Sequence, residues 1–350
     1  MTLLSGLDKG EFNPVVICPE DSGVYGSLKS SGYTMIPLAM AGEIQPARDL
    51  KTVLNLRQIL GGLKPDILHI HGMKAGFVGR FAVAPIQPRP RVILTLHSFL
   101  FDERTSWRKR AFTSRVERRL SQYTNRYVAV SKALRDHMIS DICVPSEKTQ
   151  VIYNGIKFAD PKTKRTKPCE RVPVIGTVAR LAPQKGVEYF IRAAAILLRD
   201  FPTARFRVVG DGPFRQNLEA LAMKMEISES VEFAGFRHDV GDVLSGFDVF
   251  VLPSTHEAFG ITLLEAMSRD VPVVASKTGG IPEIVDGLTT GLLAEPANPE
   301  QIADRVRELL LNPNRAAALA HQGNLFVREN FTADRMVAET EQMYSELCDS

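Results

Sequence analysis

The sequence predicts an α/β fold built from two doubly wound domains, each a parallel sheet with helices on both faces. The first observation is a regular alternation of short apolar runs with segments of helical periodicity. The second is the length of 350 residues, which suffices for two domains of ordinary size. The third is a linker-like stretch, 161–173, with three prolines and five basic side chains. We therefore expect domains at 1–160 and 174–333.

In the first domain, apolar runs predict strands and helical periodicity fills the gaps between them. The strands are expected at 15–18, 34–37, 67–70, 92–96, 127–130 and 150–152, and the clearest helices at 46–60, 75–84 and 108–122. In the second domain we expect strands near 174–180, 206–209, 247–252 and 271–276, and helices ending near 200 and spanning 299–311, 315–329 and 336–347.

Composition excludes several classes of protein. The chain is 44% hydrophobic and 24% charged, which is typical of a globular protein. No apolar run reaches the roughly 18 residues of a membrane helix, and Asp8, Lys9 and Glu11 stand where a signal peptide needs an apolar core. The four cysteines have neither metal-type spacing nor the density of a disulfide framework. We expect a cytoplasmic location.

Charge is distributed unevenly along the chain. Residues 1–160 carry 22 basic and 14 acidic side chains, whereas the rest carries 21 and 26. Segment 104–119 holds seven basic residues against one acid, Glu117, and Trp107 lies on its apolar face. This pattern favours contact with an anionic membrane surface at the inner face of the membrane. A solvated helix packed on the sheet is an open alternative, and no nucleic-acid-binding motif accompanies the charge.

Histidines stand at the ends of two predicted strands in the first domain. His71 follows one strand and His97 the next. Ligands of open α/β sheets lie at the carboxyl ends of strands, so His97 is a candidate functional residue and His71 could be functional or structural. We expect His69 to point to the opposite face of its strand and to be structural. Lys74 lies just beyond His71.

The stretch 253–267 has the strongest chemical pattern. It joins a buried strand to a helix that begins after Gly260 and is expected to end near 269–270, and the first N–H groups of such a helix can bind an anion. Glu257 and Glu265 are eight residues apart, about 12 Å along a helix. The carboxylates of a glycosidase are about 5–9.5 Å apart, so these two are better placed to contact different parts of one long ligand.

Two glutamates separated by seven residues, with Phe259 and Gly260 after the first, resemble the retaining glycosyltransferases of family 4. These enzymes have the GT-B fold, two Rossmann-like domains facing a cleft. The resemblance implies that Glu257 contacts the transferred sugar, that Glu265 holds the ribose, and that the helix N-terminus faces the diphosphate. Ala258 departs from the Gly usual in the family, and a backbone with φ > 0 would be strained there.

Other segments match the family in order along the chain. The match implies that Arg180 and Lys185 bind the diphosphate, that His97 faces the sugar, and that a helix at 334–350 crosses back to the first domain. The implied donor-binding residues are Gly260, Ile261, Thr262, Glu265, Gly279, Gly280, Gly235 and Phe236, and the candidates on the acceptor side are His71 and Lys74.

The beginning of the sequence lacks the first strand, glycine-rich loop and most of the first helix of the family. We therefore expect an N-terminally truncated first domain. The resemblance implies a retaining, metal-independent transfer of sugar from a nucleotide-diphosphate sugar to a glycan or lipid-linked glycan, with no cofactor. A non-catalytic homologue or partner subunit that binds only nucleotide is an alternative, and a sugar-nucleotide epimerase is a weaker one.

Overall fold

The computed structural model describes residues 2–41, 45–101, 105–158 and 172–349. The chain divides into two compact units, Met1–Gly155 with Ala333–Ser350, and Ile156–Thr332. Most of the expected linker, 161–171, lies outside the described residues, as does Arg104. Every paired strand in both units is parallel, and helices alternate with strands, which confirms the α/β fold class.

The first unit contains two sheets. Its strands are β1 (Val15–Cys18), β2 (Thr34–Pro37), β3 (Ile67–His71), β4 (Arg91–Leu96), β5 (Arg126–Ala129) and β6 (Thr149–Val151). Its helices are α1 (Thr2–Gly6), α2 (Tyr25–Ser30), α3 (Pro46–Leu63), α4 (Met73–Val83), α5 (Trp107–Leu120), α6 (Lys132–Ser140) and, at the other end of the chain, α13 (Ala333–Cys348). Strands β1 and β2 form one pair, and β3-β4-β5-β6 form the other sheet.

Strands β1 and β3 each have a partner on one side only. Among the described residues no strand pairs with both sheets, so the strands of this unit fall into two separate sheets. Every residue of β1 is half-buried, and β3 has a single fully buried residue, Ile70. Helix α13 contributes Val337, Tyr344 and Leu347 to a core shared with α1 and the larger sheet. Side-chain packing therefore carries much of the cohesion of this unit.

The second unit has one six-stranded sheet. Its strands are β7 (Val174–Val178), β8 (Arg205–Val209), β9 (Val231–Gly235), β10 (Val249–Leu252), β11 (Val273–Ser276) and β12 (Leu292–Ala294). Its helices are α7 (Val187–Leu197), α8 (Arg215–Lys224), α9 (Val240–Ser245), α10 (Ile261–Met267), α11 (Pro299–Leu311) and α12 (Pro313–Asn330). The order β9-β8-β7-β10-β11-β12 is that of a doubly wound sheet.

The direction of chain progress reverses between β7 and β10, which are neighbours in this sheet. Strands β10 and β11 are buried along their whole length, as expected of inner strands covered on both faces. In open α/β sheets, such a reversal opens a crevice at the carboxyl ends of the two strands. None of the described helices is long and apolar enough to cross a membrane.

Candidate functional site

The loops that follow β7 and β10 bring two predicted site residues together. Lys185 lies in a short 3₁₀ turn after β7, and Glu257 lies in the loop after β10. The Lys185 ammonium nitrogen is 2.6 Å from Oε2 of Glu257, the distance of a charge-assisted hydrogen bond. The side chain of Glu257 is 11% exposed and that of Lys185 26%, so the pair borders solvent.

Ser254 is a further residue of this site, and the sequence analysis did not select it. It is fully buried, and its hydroxyl donates a 3.0 Å hydrogen bond to the same Oε2 of Glu257. Its position three residues before the glutamate is the only sequence signal for this contact. Two donors therefore converge on one carboxylate oxygen and fix the direction of the Glu257 side chain.

Backbone contacts hold the loops of the site against each other. A Cβ on Gly186 would lie 2.0 Å from the carbonyl oxygen of Pro253, so only glycine permits this approach. The amide of Thr255 donates to the carbonyl of Gln184 at 2.9 Å, and the amide of Gly280 donates to the carbonyl of Glu257 at 3.0 Å. The predicted Gly279–Gly280 loop thus lies directly beside Glu257, and these contacts join the loops after β7, β10 and β11.

Gly260 initiates α10 with φ of 100°, a conformation that L side chains rarely adopt. The helix is seven residues long and ends at Met267, so it is shorter than predicted, because residues 268–270 form a turn. A helix of two turns has a small dipole, which gives the cationic side chains more weight in any anion binding. Ala258 is buried and is not in the left-handed region, so the departure from Gly causes no backbone strain.

Glu265 lies on α10, half-buried. Burial raises the pKa of its carboxyl, and the nearby Arg269 guanidinium partly offsets this. A partly desolvated carboxylate gains most from hydroxyl donors that arrive with a ligand. This environment is compatible with the predicted contact to ribose.

The remaining predicted donor residues lie around the same sheet edge. Arg180 follows β7 and is exposed, and Ile261 and Thr262 form the start of α10. Gly235 ends β9 with φ of 70°, and the next residue, Phe236, is 69% exposed. An aromatic ring left in water beside a strand end is available to stack on a planar ligand.

The predicted histidines of the first unit form a cluster at the ends of β3 and β4. Nδ1 of His71 is 3.0 Å from Nε2 of His97, and both residues reach solvent. His69 stacks on His71 with ring centroids 4.3 Å apart. The expectation that His69 points to the opposite face is therefore wrong, because residues two apart in a strand share a face.

The cluster also connects the sheet to α13. The ring of His69 contacts the hydroxyl of Tyr344 at 2.5 Å through Nδ1 and that of Thr95 at 2.6 Å through Nε2. Burial lowers the pKa of His69 well below its ordinary value, and repulsion from His71 and His97 adds to this. Burial, and then His97, lowers the pKa of His71 to about 4, and burial also lowers that of His97. The three rings are therefore neutral at neutral pH.

Two ion pairs link α4 to its neighbouring helices. Lys74, predicted on the acceptor side, is 3.0 Å from Asp49. Burial raises the pKa of Asp49, but the contact with Lys74 outweighs this and holds the pKa below its usual value. Arg80 is fully buried and binds both carboxylate oxygens of Glu117 at 2.6 and 2.7 Å. The sequence analysis did not identify this second pair, which joins α4 to α5.

The Arg80 pair determines the charge of α5. Glu117, the only acid of that helix, is buried against Arg80. The exposed charged side chains of α5 are therefore all cationic. Two aromatic side chains of the helix are also exposed, Trp107 at 73% and Phe112 at 67%. Across the described ranges, no group of three or more His, Cys, Asp or Glu residues is arranged to hold a metal ion.

Comparison with known families divides the chain after residue 159, four residues beyond the boundary at Gly155 in the structure. Residues 1–159 match the family described as "Glycosyltransferase Family 4", and residues 160–325 match "Glycosyl transferases group 1". An "Uncharacterized glycosyltransferase MJ1607" of Methanocaldococcus jannaschii is 30% identical over 311 residues, covering 82% of this chain and 76% of the relative.

A second relative has a defined reaction. The Escherichia coli "UDP-Gal:alpha-D-GlcNAc-diphosphoundecaprenol alpha-1,3-galactosyltransferase" is 29% identical over 318 residues, covering 84% of this chain and 82% of that protein. Among solved structures, the Anabaena protein Alr3699/HepE in complex with UDP and glucose superposes with a TM-score of 0.83 at 23% identity. The match covers 95% of this chain and 91% of the other. At that identity the likeness concerns the fold, which is GT-B.

Proposed function

The chain belongs to family 4 of the glycosyltransferases, and from this membership we propose that it transfers a sugar, with retention of anomeric configuration, from a nucleotide-diphosphate sugar to a glycan or lipid-linked glycan. The observation that carries the proposal is the position of Lys185 and Glu257 in the loops after β7 and β10. These loops flank the point where the sheet order reverses, the usual ligand site of a doubly wound sheet.

Each residue of the site has a role that its environment supports. Arg180 and Lys185 would stabilise the diphosphate, whose negative charge grows as the bond to the sugar breaks. The N–H groups of Ile261 and Thr262 would add smaller contributions. Glu265 would accept hydrogen bonds from the ribose. Glu257 would accept them from sugar hydroxyls.

Four further residues of the second unit complete the proposed donor site. Gly279 and Gly280 would allow the backbone to approach the donor, and Gly235 and Phe236 would lie beside the base. His97 would contact the sugar. Its lowered pKa supports a neutral ring that can both donate and accept a hydrogen bond at neutral pH. His71 and Lys74 remain proposals for the acceptor side, and we propose no metal or other cofactor.

Two observations support a lipid-linked acceptor: the reaction of one relative and the exposed surface of α5. The Escherichia coli relative is described as acting on a diphosphoundecaprenol-linked sugar. Helix α5 exposes Trp107 and Phe112 among cations, a combination that binds the interface of anionic membranes. We propose that the chain works at the cytoplasmic face of the membrane. Sedimentation with phosphatidylglycerol vesicles should be lost in a Trp107→Ser/Phe112→Ser variant, and equal sedimentation of both proteins would contradict the membrane contact.

Calorimetry with UDP, GDP and ADP tests the donor site. We expect one of them to bind. Lys185→Ala should weaken the affinity for that nucleotide by about 10- to 150-fold, and Glu265→Gln should weaken it over a similar range. Each substitution removes a charge-assisted contact of about 1.5–3 kcal/mol. Glu308→Gln, which removes a carboxylate from α11, is the matched control and should leave binding unchanged. If none of the three nucleotides bound to the unaltered chain, the proposed function would be wrong.

A further inference from the structure

The ammonium of Lys185 is engaged by a carboxylate. Its Nζ is 2.6 Å from Oε2 of Glu257, which also accepts a hydrogen bond from Ser254. The proposed function assigns the lysine to the diphosphate and the glutamate to the sugar. The pair therefore places a negative charge beside the position where a diphosphate would bind.

A carboxylate in that position opposes the binding of an anion in two ways. The diphosphate has to share or displace the Glu257 contact to reach Lys185, and it also experiences direct repulsion from the carboxylate. Both effects are substantial because the side chain of Glu257 is only 11% exposed, so water screens its charge weakly.

The carboxylate cannot turn away from this position without loss of other contacts. Ser254, which donates to it, is fully buried. The backbone of Glu257 is also fixed, since its carbonyl accepts a hydrogen bond from Gly280. The charge of Glu257 therefore stays at the site when an anion arrives.

We propose that Glu257 competes with the nucleoside diphosphate for Lys185 and thereby weakens the binding of the nucleotide that remains after transfer. The donor brings sugar hydroxyls that donate to the carboxylate and offset this competition, whereas the free nucleoside diphosphate has none. Glu257 thus determines the preference of the site for donor over product. The inference rests on the proposed function, because it identifies the anion beside Lys185 as a diphosphate.

The test is calorimetry of the 350-residue chain with UDP, GDP and ADP, comparing the unaltered protein with Glu257→Gln. Loss of the charge should tighten binding of the nucleoside diphosphate by about 5- to 50-fold, the range that Coulomb's law gives for two charges about 6–8 Å apart at an effective dielectric constant of about 20, after allowance for screening. Glu257→Ala should tighten binding as well, since it also removes the charge.

Two variants separate charge from shape. Glu257→Asp keeps the charge and should bind within about threefold of the unaltered chain. Glu308→Gln removes an equal charge from α11 and should have no effect. If the unaltered chain binds a nucleotide and neither neutral variant of Glu257 binds it more tightly, the inference is overturned while the proposed function stands. If no nucleotide binds to any variant, both are overturned.

Discussion

The two units use the same layers of strand and helix, but only the second has all its described strands in one sheet. Strand β7 is paired on both sides, by β10 and β8, and β10 and β11 are buried along their whole length. In the first unit the described strands are divided between two sheets, and the residues of β1 and β3 are largely half-buried. Where backbone pairing is interrupted, individual side-chain contacts carry more of the stability, and single substitutions should reveal the difference.

The buried pair of Arg80 and Glu117 offers the largest test of this comparison. Glu117→Ala leaves the guanidinium without its bidentate partner in a buried position, where loss of one partner costs about 3–5 kcal/mol. We expect the first unit to become sensitive to proteolysis while fragments of the second unit persist. Limited proteolysis, with fragments identified by mass spectrometry, measures this.

A matched substitution in the second unit should have a much smaller effect. Glu308 pairs with Arg305 and Arg315, whose side chains are about half exposed, and exposed pairs contribute about 1 kcal/mol or less. Glu308→Ala should therefore leave both units resistant. Equal resistance of the Glu117→Ala chain would mean that the first unit does not depend on its side-chain pairs.

The response to acid should also distinguish the units. Lowered pKa values of His69, His71 and His97 mean that the folded first unit binds fewer protons than its unfolded form. Its stability is then fully present above about pH 6.5 and falls as the pH drops toward about 4. In the second unit the pKa of Glu265 is raised, so its contribution changes in the opposite direction.

For His71 the expected loss is about 1–2 kcal/mol, after allowance for the solvent that reaches its ring. Hydrogen exchange, corrected for the intrinsic pH dependence of amide exchange, should show protection of β3 and β4 falling over this range more steeply than that of β7 and β10. His71→Gln removes one titrating ring and should make the fall shallower. Parallel losses in both units would contradict the assignment.

The sequence predicted most of the fold because local periodicity determines the elements. Strands such as β1 and β2 and the helix α11 have the predicted bounds, and the six strands of the first unit were each predicted within two residues. The position of Glu257 at a strand end also followed from local pattern. Features that depend only on local sequence pattern can therefore be predicted from a single sequence.

Contacts between distant segments could not be predicted in the same way. Arg80 and Glu117 are 37 residues apart in the chain, and Lys185 and Glu257 are 72 apart. No spacing rule relates such residues, since their contact depends on how helices and loops pack on the sheet. The error about His69 had a different cause, because the alternation along β3 already places His69 and His71 on one face.

The smallest expected effect concerns the position where the sequence departs from its family. Ala258 is buried and its backbone lies outside the left-handed region, so glycine there would only increase the freedom of the unfolded chain. Ala258→Gly should destabilise the second unit by about 0.4–1 kcal/mol and leave nucleotide binding unchanged. Gly260→Ala is the contrasting variant, because residue 260 has a φ of 100° and an added Cβ would lie 3.1 Å from Leu263. We expect it to lower the free energy of unfolding by about 1–3 kcal/mol and to weaken nucleotide binding. Denaturant unfolding and calorimetry on both variants measure this, and a stabilising effect of Ala258→Gly would show that residue 258 requires the conformation usual for glycine.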